Sequence, residues 1–441
     1  MKMRSTLVKG TILLTAAGMF SRLIGFFYRI FLSNAFGAEA IGIYQLIGPV
    51  LALSFSITAA GLQTSISKFV AEQTASVKKK PQHVLCTGLL IALLLSCSCS
   101  FLIYHYSDTL AVSFLHEKRC APLLRILTFA LPLASLHSCF NGYFYGLKHT
   151  SVPAASQILE QLARVFTCIS LYYFFLSAGK TPTIALTVVG LVAGEAVSAL
   201  FSILAAYYHF EKRTLTILPF SCTEMLSYAK NIIRMSLPLS ANRIVINLLQ
   251  SYEAVQIPIR LRSFGLSLED ALSIYGTLTG MSLPVILFPN VITGSVSVLL
   301  LPTISSAQAN SDQKRIAQTI SKCIRYCVLI GLSATVFFLL IGKKLGEILF
   351  HSKDAGSFLV ILSFLCPFLY LSTTLTSILH GLGRTATSFF LHLICLLIRL
   401  GFVFLLVPRM GIDGYLWGLI TGEAAGTLLC LFALRKEMQS S

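Results

Sequence analysis

The sequence predicts an all-α polytopic membrane protein of about 12 transmembrane helices in two six-helix lobes related by a parallel pseudo-two-fold repeat. Three observations carry that prediction. The 441-residue chain is 55% hydrophobic and 12% charged, with mean hydropathy +0.79, whereas soluble domains carry roughly a quarter charged residues. Apolar stretches of about 20 residues, enough to cross the hydrocarbon core as a helix, recur between charged or turn-rich breaks. Finally, "GLVAGEA" at 190–196 returns as "GLITGEA" at 418–424.

The first span, near 10–32, follows Lys9; it is too long and too arginine-bearing for a cleaved signal peptide, so it is expected to be retained. The second, 41–67, ends at Lys68, and the third, 85–106, follows the run Lys78 to Lys80. "HEKRC" precedes the fourth (121–146), "KHTS" the fifth (152–178) and "GKTP" the sixth (183–209). Residues 1–209 would form one lobe. A linker at 210–229 mixes charge and apolar residues, as an interfacial helix or a plain tether would. The second lobe, 230–441, holds spans near 230–258, 273–303, 321–342, 355–381, 385–407 and 412–434, separated by "SLED", "SDQKR", "HSKD", "GLGR" and "PRMGID".

The repeat extends beyond its best heptad. "LTFALP" (127–132) matches "LSFLCP" (362–367), and the same register aligns Gly146 with Gly381, Thr150 with Thr385 and Arg164 with Arg399. "FG" at 36–37 pairs with 264–265, and "IY" at 43–44 with 274–275. An even number of helices per lobe keeps both halves in one orientation, the parallel arrangement of transporters that rock about a central cavity. Pro49, Pro132, Pro238, Pro284, Pro289 and Pro367 fall inside spans, where they bend helices.

The net charge of +17 does not imply a nucleic-acid partner. Basic residues collect on alternate sides: Lys2, Arg4, Lys9, Lys68, Lys78 to Lys80, Lys148, Lys212, Arg213, Lys230, Arg234, Lys314, Arg315, Lys322, Arg325, Arg384, Arg435 and Lys436 on one side. The opposite loops hold fewer, among them Lys118, Arg119, Lys180, Lys343, Lys344 and Arg409. The positive-inside rule then puts both termini in the cytoplasm, with anionic lipid as a contact. The 12 cysteines lie mainly in apolar segments and contain no C-x-x-C pair, so no metal or disulfide framework is expected.

Charges inside spans each require an explanation, because an arginine at mid-helix costs about 2.5–3.5 kcal/mol on translocon scales. Arg164 and Arg399 recur together with Glu195 and Glu423, so the expectation is one ion pair per lobe, Arg164 with Glu195 and Arg399 with Glu423, structural or ion-coupling; Glu160 neighbours Arg164 at i−4. Arg22 lies roughly 18 Å into a first span that holds no acid, and Arg29 follows two turns later with Gly25 between them. Glu253 of the seventh helix, or an anionic substrate such as a pyrophosphate, would supply the missing charge. Lys68 and Arg243 complete a candidate substrate-binding set of Arg22, Arg29, Lys68, Arg243 and Glu253.

"KGTILLTAAGMFSRLIGFFYRIFLSNAFGAEAIGIY" followed by "GLQTSISKFVAEQ" resembles the N-terminal signature of the stage V sporulation protein B group. The pattern R-x-x-G-F-x-x-R falls on Arg22, Gly25, Phe26 and Arg29, and I-S-K-x-V-A-E on Ile66, Ser67, Lys68, Val70, Ala71 and Glu72. "MFSR" and "GF" are also similar to the peptidoglycan lipid II flippases; both groups belong to the multidrug/oligosaccharidyl-lipid/polysaccharide exporter superfamily. The resemblance implies flipping of a polyprenyl-pyrophosphate-linked saccharide for wall or capsule synthesis, with first-helix arginines on the pyrophosphate and cell-wall synthesis enzymes as possible partners. Members of these groups commonly have fourteen helices; here about twelve are read.

Two competitors share the fold expectation: a multidrug cation antiporter, which would want an acid in helix one, and a non-transporting scaffold of wall synthesis. An enzyme is not expected. No Asp-rich magnesium motif is present, and His105, His137, His380 and His392 stand alone on apolar helices. Without a Walker sequence, energy would come from the membrane potential or a coupling ion, H+ or Na+; no cofactor is expected.

Overall fold

The computed structural model describes residues 2–75, 81–212, 222–290 and 313–440, with 293, 294, 297, 300, 304 and 308. Among these residues the chain is helical apart from short turns, and no strand occurs. Eleven stretches are long and apolar enough to cross a membrane. The first of them, Gly10–Thr74, contains both of the first two expected spans, so the chain is a multi-pass membrane protein of the expected class.

One glycine divides that long stretch. Helix α1 (Lys2–Phe55) runs into the second span and is broken only at Gly37, whose φ of 81° and ψ of 171° lie in a region that is essentially glycine's alone. A Cβ built there would meet nothing within 4 Å, so the requirement is backbone conformation and not space. Gly37→Ala is therefore expected to destabilise the protein by roughly 1–3 kcal/mol, read as a lower thermal midpoint in detergent; an unchanged midpoint would mean that the break is not needed.

The chain continues through α2 (Gly61–Ala75), α3 (Pro81–His105), α4 (Cys120–Leu127), α5 (Ala130–Gly146), α6 (Ser151–Ser177) and α7 (Ala185–Lys212). Helix α8 (Cys222–Ser263) begins within the expected linker, the remainder of which, 213–221, lies outside the described residues. After it come α9 (Leu268–Gly276), α10 (Leu283–Leu287), α11 (Gln313–Phe350), α12 (Lys353–Leu362), α13 (Cys366–Gly381), α14 (Thr385–Leu405) and α15 (Ile412–Ser440). Most of the distal half of the expected eighth span also lies outside the described residues.

These elements group by contact into two units, Met1–Gly25 with Leu46–Ser251 and Phe26–Gln45 with Tyr252–Ser441. In the first, Gly142 and Gly146 let α5 approach α2 so closely that a Cβ on either would sit 2.6 Å from the carbonyl of Gln63 or Ser67. Leu62, Ile66, Leu85, Tyr143 and Phe144 fill the core around this contact. Such approaches through small residues hold helices together in lipid, where apolar surface alone provides little drive for association. Asn247 of α8 donates to the Ala52 carbonyl (3.3 Å) and to Ser56 Oγ (2.5 Å), within and just after the end of α1.

In the second unit, Ile320 of α11, Leu375 and Ile378 of α13 and Leu434 of α15 form a buried cluster. Helix α15 presents Gly414, Gly418, Gly422 and Gly426 at four-residue spacing; a Cβ on any of them would come within 3 Å of residues 395–407. Phe26 packs on Phe288 with ring centroids 5.0 Å apart within this unit.

Candidate functional site

The repeated heptad has a physical role. Gly190 and Gly194 stand one turn apart on α7, and a Cβ on them would lie 2.7 Å from the carbonyl oxygens of Arg164 and Glu160 on α6. The two helices therefore touch along their backbones at this level, and the next residue, Glu195, is brought beside the polar side chains of α6. In the second unit a Cβ on Gly418 or Gly422 would meet the side chains of Phe402 and Arg399 of α14, at 2.7 and 2.8 Å.

Four side chains from three helices meet in the first unit. Arg164 Nη2 donates to Glu160 Oε1 at 2.5 Å and lies 3.7 Å from Glu195 Oε1. His137 Nδ1, from α5, is 3.0 Å from Glu195 Oε2. The group is half-buried, with His137 and Glu195 each 12% exposed. The structure thus brings Arg164 and Glu195 together, as their duplication suggested, and adds His137. On sequence grounds His137 stood alone on an apolar helix; its partner comes from a helix nearly 60 residues further along, a relation that no local spacing announces.

The second unit is built differently. Arg399 donates from Nε to Glu253 Oε1 at 2.8 Å and from Nη2 to Tyr415 Oη at 3.3 Å. Glu423, expected opposite Arg399, instead accepts a 3.0 Å hydrogen bond from Ser372. Glu253 is buried, so it faces this arginine within its own unit and not an open surface. Where Glu253 was expected to serve Arg22 or contact substrate, its Oε1 is met by both Nε and Nη2 of Arg399.

Repeat register explains the difference. The offset of the central motif pairs Glu195 with Glu423, and that of the preceding helices pairs His137 with Ser372, Glu160 with Cys395 and Arg164 with Arg399. The first helix follows the "FG" offset, which pairs Gly25 with Glu253. Each unit therefore has one arginine and two glutamates, but the second glutamate has moved from α6 in the first unit to α8 in the second. What the first helix carries where α8 has its acid is Gly25, and a Cβ on Gly25 would have only Gln161 Nε2 within 4 Å, at 3.3 Å.

The remaining cations of the candidate set are Arg22, Arg29, Arg243 and Lys68. Arg22, Arg29 and Arg243 are exposed, and among the described residues none of them has a carboxylate within 4 Å. Lys68 is half-exposed and lies 3.8 Å from Glu72, one turn along the same helix, an end-of-helix pair of the kind worth only a few tenths of a kcal/mol, about 0.3–0.5. Arg164 and Arg399, by contrast, are each paired with carboxylates.

Comparison with known proteins agrees with this architecture. A family model described as "Polysaccharide biosynthesis protein" matches residues 7–308, and one described as "Lipid II flippase MurJ" matches residues 270–440. The chain is 28% identical to "Stage V sporulation protein B" of Bacillus subtilis (strain 168) over 448 residues, 99% of this chain and 85% of that one. It is 25% identical to "Lipid II flippase MurJ" of the same organism over 183 residues, 40% of this chain and 34% of that one. Its fold is similar to an inward-facing multidrug resistance MATE family transporter of the MOP superfamily (TM-score 0.76, 17% identity, 98% and 99% of the two chains). It is also similar to a MOP superfamily transporter from Pyrococcus furiosus described as having a binding pocket of reverse polarity (TM-score 0.66, 17% identity, 99% and 96%).

Proposed function

We propose that this chain, which belongs to the polysaccharide biosynthesis protein family, is a flippase that moves a polyprenyl-pyrophosphate-linked saccharide from the inner to the outer leaflet of a bacterial plasma membrane. Both termini would face the cytoplasm and the lobes 1–209 and 230–441 would alternate access; wall-synthesis enzymes would consume the product. The observation that carries this reading is the pair of exposed arginines, Arg22 and Arg29, in a first span without an acid. A pyrophosphate offers the paired oxygens that a planar guanidinium binds best. Similarity to sporulation protein B and to a lipid II flippase supports the same substrate class.

Multidrug cation export fits the fold of the MATE neighbours equally well, but a cationic drug would meet the unneutralised charge of Arg22 and Arg29. Proteoliposomes containing the full chain and a fluorescent lipid-linked saccharide separate the readings. Wild type is expected to translocate the lipid, and Arg22→Ala to do so about 10 to 150 times more slowly, the loss of a hydrogen-bonded charged contact worth roughly 1.5–3 kcal/mol. Export of cationic dyes with no lipid movement would overturn the proposal.

A further inference from the structure

The first unit's cluster has a charge imbalance that its surroundings do not tolerate well. Glu160 and Glu195 bring two negative charges and Arg164 one positive, within a segment that spans the membrane. A proton on the His137 imidazole makes the group neutral, and buried charge in a membrane is strongly biased toward such compensation. The imidazole is placed for it, with Nδ1 at 3.0 Å from Glu195 Oε2. Histidine is also the side chain whose ordinary titration lies closest to physiological pH.

A metal ion is the obvious rival. One atom each from His137, Glu160 and Glu195 come within 4.8 Å of one another, close enough to share an ion. The guanidinium of Arg164 already stands among the carboxylates, however, at 2.5 Å from Glu160 and 3.7 Å from Glu195. A metal cation would have to displace it or sit against its charge, whereas a proton adds to the imidazole without moving any of the four side chains.

The second unit serves as an internal control. There the position of His137 is Ser372, which gives Glu423 one hydrogen bond at 3.0 Å and does not titrate. The position of Glu160 is Cys395, and Arg399 is met by Glu253. His392 is the imidazole in the electrostatic field of Glu423 and Arg399, and among the described residues it makes no ion pair.

We propose that His137 and Glu195 form an exchangeable proton-binding site of the first unit, held in place by Arg164 and Glu160, for which the second unit has no counterpart at Ser372. The charged groups that face His137 are Glu160 and Arg164 from α6 and Glu195 from α7. Other titratable groups on the packed helices are engaged elsewhere: Lys68 with Glu72, His83 with Glu224, His209 against Tyr143 and Phe144, Arg125 with Asp108. The inference does not depend on what the chain transports.

The test is a titration of the full-length protein, labelled with 15N-histidine and held in lipid nanodiscs, from about pH 5 to about pH 8. His137→Ser, which copies the second unit, identifies the resonance; His137→Asn does so if the serine variant is poorly folded. The His137 resonance should pass from its protonated to its neutral form within this range. Glu195→Gln should move the midpoint by about one pH unit or more, and His392→Asn should leave it in place. Sodium or zinc at millimolar concentration should leave the resonance unchanged at fixed pH. An imidazole that keeps one protonation state throughout, or a midpoint indifferent to Glu195→Gln, overturns the proposal; a metal-induced shift that replaces the proton dependence makes the cluster a cation site instead.

Discussion

Glu253→Ala is expected to lower the stability of the full chain by about 3–5 kcal/mol, the penalty of leaving one member of a buried ion pair uncompensated. Glu253 is among the most deeply buried charged side chains, and Arg399 reaches it with two nitrogens at 2.8 Å. Removing the carboxylate leaves the guanidinium with the Tyr415 hydroxyl and with the more distant charge of Glu423. Glu253→Gln keeps one acceptor and should fall between the variant and wild type. The double variant Glu253→Leu with Arg399→Leu removes both charges and should recover most of the loss, since replacing a buried pair by apolar groups of similar volume is often neutral or stabilising. Thermal unfolding in detergent, followed by accessibility of the buried cysteines, gives the order of the variants. If Glu253→Ala melts with wild type, the pair contributes nothing to the stability of the second unit.

Much of this architecture was legible in the sequence because membrane physics leaves few options. Apolar length located the spans, and the recurrence of "GLVAGEA" as "GLITGEA" related Glu195 to Glu423 without any structure. The structure supplies the reason for that heptad, the two glycines that seat each glutamate against the helix before it. What was not legible is who pairs with whom. Duplication suggested that Arg399 would copy Arg164, but Cys395 had replaced the acid equivalent to Glu160, so the arginine turned to Glu253 on another helix. His137 was invisible for a related reason: no charged residue shares α5 with it, and the residue that gives it a chemical context is Glu195 of α7. Repeats preserve backbone positions more faithfully than they preserve which side chain carries the charge.

The largest effect on the proposed transport should come from returning that charge to the first helix. Gly25→Glu restores at this position the acid that the second unit has in Glu253. The new carboxylate would stand three residues after Arg22 and four before Arg29, on the helix face shared by all three. Space permits it: the one atom within 4 Å of the added Cβ is Gln161 Nε2, the end of a flexible side chain, at 3.3 Å. Gly25→Gln brings the same bulk without charge. Under the flippase reading, Gly25→Glu pairs both arginines internally and sets a negative charge against an incoming pyrophosphate, so translocation of the lipid-linked saccharide should fall at least about 100-fold, the loss of two charged hydrogen-bonded contacts at roughly 1.5 kcal/mol each. Gly25→Gln should stay within about threefold of wild type, because an uncharged amide leaves both guanidinium groups free for the anion. Equal activity of the two variants would mean that no substrate charge is met at this level of the first helix, and the anion site would have to be sought at Arg243. Loss in both variants, with both proteins folded, would make close approach at Gly25 the requirement instead, as where a glycine lets a substrate's backbone or a neighbouring helix come within contact distance.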